Sequence, residues 1–247
     1  MFSSVFKKSF WIVYDNLFVV LWSSFLWSVL HLPVFILIFY FIFSNSKNFL
    51  YAIILLNSLT LSPASGGLVW QTELLIRESP YGRKFVSFKD GLFYRFFLRL
   101  FLWILDIFSF WFLIKSFLFW LNCPVLLWKP LTIVAASLTL WIILIYFLLR
   151  LFVLPFLIIR KESLLNSLKK SFLIILAKPL FVFGVFVFFI IVKIFIFFTG
   201  IGFFVFYPSF FYIFTSCVTL KILSLYNSSV IFEEETRSWR HLLKPWE

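Results

Sequence analysis

Residues 131–154 read LTIVAASLTLWIILIYFLLRLFVL, and this stretch decides the class of fold. Arg150 is its single charged residue. A helix crosses the hydrocarbon core of a bilayer with about 20 mostly apolar residues. The stretch therefore predicts a transmembrane helix.

The composition extends this prediction to the whole chain. Of 247 residues, 63% are hydrophobic and 13% are charged. A soluble domain is about half apolar and about a quarter charged. Because small soluble folds leave much of their surface in water, they cannot bury this many apolar side chains. The composition excludes soluble, disordered and disulfide-scaffold proteins, and predicts a single all-α integral membrane domain over residues 1–247.

Six stretches have the length and apolarity of a membrane span. They are 17–43, 50–76, 100–121, 131–154, 180–200 and 203–223. The second is the weakest, because SPASGG at 62–67 interrupts it. Proline is tolerated within a membrane helix where neighbours satisfy the freed backbone groups. We therefore predict six transmembrane helices, which place both termini on the same side.

Basic residues are distributed unevenly about these spans. Most of the 22 lysines and arginines lie near the termini or in segments 77–99 and 150–178, whereas Lys47 and Lys129 lie on the opposite side. The positive-inside rule then places both termini in the cytoplasm. The net charge of +12 lies on the face that meets anionic lipid headgroups, so it requires no nucleic acid.

A short pattern recurs along the chain. KKSF at 7–10, followed by LFV at 17–19, returns as KKSF at 169–172, followed by LFV at 180–182. A looser version, KDGLF, occupies 89–93. The recurrence suggests three consecutive helical hairpins that all start from the cytoplasm. The alternative is that basic residues followed by aromatic ones mark any cytoplasmic membrane boundary.

Several motifs in the first half of the chain resemble one family. FLW at 25–27 and LHLP at 30–33 resemble the first span of the YesL-like family of bacterial integral membrane proteins of unknown function. PAS at 63–65 is similar to the family's second span, and SFKDGLFYRF at 87–96 to its cytoplasmic segment. The resemblance covers about residues 5–105.

The resemblance has consequences for location and partners. The sequence departs from the family pattern at His31, where the family tends to have a small residue, and at the long connection 44–49. The family's genes often lie beside those of carbohydrate-uptake ABC transporters. The resemblance therefore implies a multi-pass protein of the bacterial plasma membrane, in contact with the lipid bilayer and with transporter subunits. It brings no assigned reaction or site residues.

Ionisable residues inside membrane spans are candidates for a solute or proton pathway, because they are costly to keep there. Asp106 is the strongest candidate, and its alternative is structural pairing with a cation. Lys193 has a long stem that can reach the outer interface. His31 can relay protons, or it can be a hydrogen-bonded packing residue.

Polar residues at the predicted cytoplasmic rim form a second set of candidate site residues. Glu73 and Arg77 stand at i and i+4, which favours an ion pair. Segment 83–99 mixes cations with aromatic residues, which is typical of an interfacial helix or of a docking surface for a cytoplasmic partner. Its basic candidates are Lys84, Lys89, Arg95 and Arg99. The acidic and basic tail after residue 232 is expected to be a solvated extension, and Asp15 to be a helix-start residue.

No enzyme motif is complete. PASG at 63–66 lacks the first glycine of the GxSG motif of intramembrane serine proteases. The DG pair at 90–91, followed by Arg95, lacks the carboxylates that the CDP-alcohol phosphotransferase motif needs. Two histidines and two cysteines provide no metal-ligand spacing. We therefore expect no enzymatic activity, no metal and no cofactor.

Two hypotheses of function follow. The first is a non-enzymatic accessory or assembly component of a carbohydrate-uptake or related membrane system, which tolerates Asp106→Asn. The second is a stand-alone transporter or channel for a small solute, in which Asp106→Asn or Lys193→Met abolishes flux. Transporters often carry paired broken helices in corresponding halves. Here the clear interruption is at 62–67, which favours the accessory hypothesis.

Overall fold

The chain is all-helical in its described parts. The computed structural model describes residues 1–44, 63–77, 88–122, 129–198, 206–226, 230 and 232–237, and no strand occurs among them. The helices are α1 Phe2–Asp15, α2 Leu17–Ser44, α3 63–76, α4 88–93, α5 Phe96–Leu121, α6 Lys129–Ile158, α7 Leu164–Ala177, α8 Pro179–Phe198 and α9 Tyr207–Tyr226.

Several of the described helices have the length and apolarity that membrane spans require. Within the described ranges α5, α6 and α9 are each long and apolar enough to cross a bilayer. The bent pairs α1–α2 and α7–α8 raise the number of candidate spans to five if each pair counts as one. Residues 50–62 of the predicted second span lie outside the described residues. The count of six spans and the orientation of the termini stay predictions.

Two sharp bends separate short helices from long ones. The angle between α1 and α2 is 89°, and that between α7 and α8 is 103°. Pro179 opens α8, and a proline disfavours helical geometry in the residue before it, so Lys178 leaves the helix with φ −141° and ψ 60°. Ser163 caps the start of α7, where its side chain accepts a hydrogen bond from the Asn166 amide.

Phenylalanine fills much of the core around α9. Phe214 of α9 contacts Phe188 and Phe189 of α8, with ring centroids 5.2 and 5.3 Å apart. Phe2 of α1 joins the cluster at 5.3 Å from Phe188. Aromatic pairs at these separations gain about 0.5–1.5 kcal/mol beyond their buried area. The high phenylalanine content therefore contributes to packing inside the bundle.

Helix α5 lies at the edge of the described bundle. Its principal contact is with α6, and 12% of its most apolar stretch is buried, compared with 50% for α6 and 56% for α9. Phe97, Phe108 and Phe112 are among its exposed side chains. Large apolar side chains of this kind are suited to lipid. The contacts with α6 therefore hold α5 in place at the edge of the bundle.

Candidate functional site

Asp106 lies in the contact between α5 and α6. Arg150 Nη2 is 2.5 Å from Asp106 Oδ2, and the Tyr146 hydroxyl donates a hydrogen bond to Asp106 Oδ1. Tyr146 and Arg150 are one turn apart on α6 and so share a face. The exposed fraction is 12% for the Asp106 side chain and 20% for Arg150. These three residues therefore form a largely buried, charge-neutral junction between the two helices.

An aromatic ring and a cavity flank this junction. The Arg150 guanidinium carbon lies 4.6 Å from the centre of the Trp103 ring, which is cation–π geometry. A cavity of about 330 Å³ runs beside Tyr146 between α5 and α6, and Ser109 and Leu113 also line it. Its mostly apolar walls are suited to a lipid chain or to an apolar part of a solute.

His31 is buried in α2 against its own preceding turn. Its Nδ1 lies 2.5 Å from the Trp27 carbonyl oxygen, and its ring stacks on the Trp27 ring with centroids 3.8 Å apart. Because the carbonyl only accepts, Nδ1 carries the proton in this contact. This is the arrangement of a hydrogen-bonded packing histidine.

Lys193 is exposed on α8, as is Lys115 on α5. Asp106, His31 and Lys193 thus lie on three different helices. Within the described chain no hydrogen bond or ion pair joins any two of them. The structure therefore does not assemble the three pathway candidates into one polar cluster.

Arg99 occupies a different environment from the predicted lipid interface. Arg99 is fully buried. Its Nη2 donates to the Leu92 carbonyl at 2.7 Å, and its Nη1 donates to the Pro63 carbonyl at 3.3 Å. Gly66 leaves space for the guanidinium, because a Cβ atom there would lie 0.9 Å from Nη1. The expectation of an interfacial Arg99 is thereby corrected. Close helix approach at Gly66 and the backbone carbonyls keep this cation inside the protein.

Arg95 binds the end of α6. Its φ of 50° is left-handed and separates α4 from α5, so the predicted basic segment is not one continuous helix. Its guanidinium donates to the carbonyls of Leu157 at 3.3 Å and Lys161 at 2.8 Å, and to that of Glu162. Carbonyls at a helix C-terminus lack partners within the helix and attract cations. Arg95 is therefore a cap for α6 rather than part of an interfacial face.

The other members of that segment differ in position. Lys89 is exposed on α4. Lys84 lies outside the described residues. The interfacial interpretation of the segment thus stays a prediction for Lys89 among the residues that can be placed.

Glu73 and Arg77 form the ion pair expected at the end of α3. Arg77 Nη2 lies 2.9 Å from Glu73 Oε1, and the exposed fractions of the two side chains are 66% and 7%. Both residues line a cavity of about 350 Å³, together with Lys8, Arg160 and Phe232. Basic groups from α1, from the end of α3 and from the chain after α6 therefore meet at one end of the molecule.

The C-terminal residues 232–237, which we call the C-terminal strap, lie on α1 and α9. Lys7 and Lys8 of α1 donate to strap carbonyls, at 2.9 Å to Glu235 and 2.6 Å to Glu233. Lys221 of α9 forms an ion pair with Glu234. These contacts correct the expectation of a solvated extension for residues 232–237, since acidic strap residues meet lysines far away in sequence. Arg240 and Lys244 of the same tail lie outside the described residues.

Arg237, the last residue of the C-terminal strap, binds α1. Its two Nη atoms lie 2.9 and 2.7 Å from the Asp15 carboxylate oxygens, in a bidentate pair. Its guanidinium carbon lies 4.2 Å from the centre of the Trp11 ring. Asp15 is the last residue of α1 and not a helix-start residue, so it anchors the strap where α1 ends.

We expect the C-terminal strap to loosen in acid. Hydrogen bonds from Lys221 and Arg237 lower the pKa of Glu234 and Glu235, respectively, below the ordinary value of 4.5. A carboxyl whose pKa is lower when docked stabilises docking above its free pKa, and this contribution disappears as the pH falls through the docked pKa. Hydrogen exchange of peptide 230–237, corrected for the intrinsic rate, should show protection at pH 7 that declines below about pH 4.5.

A charge-neutral control tests the cause of this pH dependence. Glu234→Gln combined with Glu235→Gln should reduce protection at pH 7 and remove most of its change with pH. Equal protection of the unmodified strap at pH 7 and at pH 4 would contradict the prediction.

From the sequence, Arg150 was counted in the basic segment 150–178, Tyr146 was not singled out, and the residues of the C-terminal strap were expected to be a solvated tail. Arg150 lies within α6, four residues after Tyr146. A cation and a hydroxyl one turn apart in an apolar stretch are the signal that points to a buried acidic partner. The strap carried a weaker signal, because acidic runs are also common in solvated tails.

The described chain is all-helical, with three to five candidate membrane spans and one largely buried ion pair, Asp106–Arg150, between α5 and α6. No protein-family model, curated protein or solved structure matches the chain. The resemblance to the YesL-like family therefore stays a prediction from the motifs.

Proposed function

We propose that the protein is a non-enzymatic accessory or assembly component of a membrane system, with carbohydrate uptake as the system that the YesL-like resemblance implies. The observation that carries this proposal is the largely buried, charge-neutral junction of Asp106, Arg150 and Tyr146. Arg150 of the same chain neutralises the Asp106 carboxylate, and the pair holds α5 and α6 together. A solute-coupling carboxylate, by contrast, needs access to its solute.

The proposed topology has six spans with both termini in the cytoplasm. Its support is the gathering of Lys8, Arg77 and Arg160 around one cavity, where α1, α3 and α6 meet. Cations concentrated at one end of a membrane protein favour a cytoplasmic location for that end. We place this protein in the bacterial plasma membrane, in line with the resemblance.

Affinity purification at native expression level tests the accessory function. The tagged protein is extracted in a gentle detergent, and the masses of co-eluting proteins are determined. We expect a stoichiometric transporter or regulatory subunit, retained also by the Asp106→Asn variant. Elution of the protein alone, or only as a homo-oligomer, would overturn the obligate-partner proposal.

A stand-alone transporter is the second candidate, and the cavity beside Tyr146 favours it because it adjoins the Asp106 junction. Reconstitution into liposomes separates the two functions. For an accessory protein we expect no sugar flux above that of empty liposomes. Flux that Asp106→Asn or Lys193→Met abolishes, while the protein stays folded, would replace the accessory proposal with the transporter.

A further inference from the structure

Helices α1 and α7 are two copies of one structural element. Each has 14 residues, and each is followed by a bend of 89° or 103° into a long apolar helix. One constant shift in numbering aligns both helix boundaries, and the same shift aligns KKSF at 7–10 with KKSF at 169–172. The recurrence seen in the sequence is therefore also a recurrence of local structure.

Four of the five buried positions of α1 are also buried in α7 under this shift, whereas Trp11 is buried and its counterpart Leu173 is 51% exposed. Ser9 donates to the Val5 carbonyl at 2.8 Å, and Ser171 donates to the Ser167 carbonyl at 2.7 Å. The aligned buried residues are Val5, Ser9, Ile12 and Val13 of α1, and Ser167, Ser171, Ile174 and Ile175 of α7. Because these four positions match, the lysine pairs project from equivalent positions of the two helices.

The two lysine pairs differ in what covers them. On α1, Lys7 and Lys8 bind two carbonyls of the acidic C-terminal strap. On α7, Lys169 has no partner among the described residues, and Lys170 is 48% exposed although it pairs with Glu162 at 2.6 Å. The first copy thus binds an oxygen-rich acidic segment, and the second presents the same cations outward.

The exposed edge of α7 indicates which acidic ligand it meets. Leu165, Phe172 and Leu176 are 79%, 43% and 60% exposed, and they share an edge with Lys169. Such a mixture is typical of a helix in the membrane interface, where apolar side chains enter the acyl region and lysines extend to the headgroups. Leu180, 87% exposed just after the bend, continues this apolar surface into α8.

We propose that Lys169 and Lys170 bind the phosphate groups of anionic phospholipids, with Lys178 at the end of α7 as a third cation. The lipid phosphate then takes the position on α7 that the C-terminal strap takes on α1. The charges are complementary, and the neighbouring apolar edge favours a lipid over an acidic peptide.

Native mass spectrometry of the full-length protein in an uncharged detergent tests this site. Phosphatidylglycerol and phosphatidylcholine with the same acyl chains are titrated separately. We expect a preference for phosphatidylglycerol, which Lys169→Gln combined with Lys170→Gln weakens about thirtyfold, since each lysine near an anionic surface contributes about fivefold. Lys169→Arg with Lys170→Arg and the remote control Lys115→Gln should keep the preference.

Two further ligands distinguish the source of the anion. Inorganic phosphate and an acidic peptide with the strap sequence are each added in place of lipid, and neither should bind to α7 with comparable affinity. Binding of either at the lysine pair would overturn the assignment to a lipid. An unchanged affinity of the double glutamine variant for phosphatidylglycerol would overturn the site itself.

Discussion

Replacing Gly91 by alanine is expected to destabilise the protein by about 1–3 kcal/mol, the usual cost of overpacking a close contact. A Cβ atom at Gly91 would lie 2.6 Å from Trp70 Cβ and 2.8 Å from Gly67 Cα. Gly67 Cα is a backbone atom of α3, and Trp70 Cβ is bonded directly to that backbone. They can move only if α3 and α4 separate. Thermal unfolding in detergent, followed by the loss of monodisperse protein, measures the effect.

Gly184 is the matched control for this substitution. It lies within α8, and a Cβ atom there would meet nothing within 4 Å in the described structure. Alanine is favoured over glycine in a helix by about 1 kcal/mol. Gly184→Ala should therefore leave the unfolding temperature unchanged or raise it. Equal unfolding temperatures for the two alanine variants would show that α3 and α4 do not approach each other as closely at Gly91.

The contrast between these glycines shows what the sequence predicts and what it does not. The sequence marked SPASGG at 62–67 as an interruption of the second predicted span, and its two glycines lie where α3 meets α4 and Arg99. Which groups pack against these glycines depends on contacts between distant parts of the chain. Hydropathy along the sequence carries no information about those pairings.

The helices themselves were largely predictable, because a bilayer demands long apolar runs. The predicted third, fourth and sixth spans correspond to α5, α6 and α9. The short helices α1 and α7 were not predicted as separate elements. Their bends at Asn16 and Lys178 depend on local backbone geometry, whereas an apolar window averages over such single residues.

The candidate site was predictable in its chemistry but less so in its partners. Asp106 was identified because a carboxylate within a span is costly, and pairing with a cation was one of its expected fates. The partner Arg150 was counted among cytoplasmic cations, because it lies near the end of its apolar stretch. Only the packing of α6 on α5 brings the two side chains within 2.5 Å.

Asp106→Asn is expected to lower the free energy of unfolding by about 3–5 kcal/mol, the usual cost of removing one partner from a buried ion pair. Arg150 would remain with 20% exposure and no carboxylate within the junction. Asparagine can still accept a hydrogen bond from Tyr146. The loss therefore arises mainly from the unpaired guanidinium.

A double-mutant cycle isolates that charge. Arg150→Gln alone should also destabilise, because it leaves the carboxylate unpaired, whereas Asp106→Asn with Arg150→Gln should recover much of the loss. Lys193→Met, at an exposed position of α8, is the control and should change stability little. A coupling energy near zero would mean that the pair does not hold α5 to α6. A large coupling energy, together with retained co-purification of a partner by Asp106→Asn below its unfolding temperature, is the result that the accessory function requires.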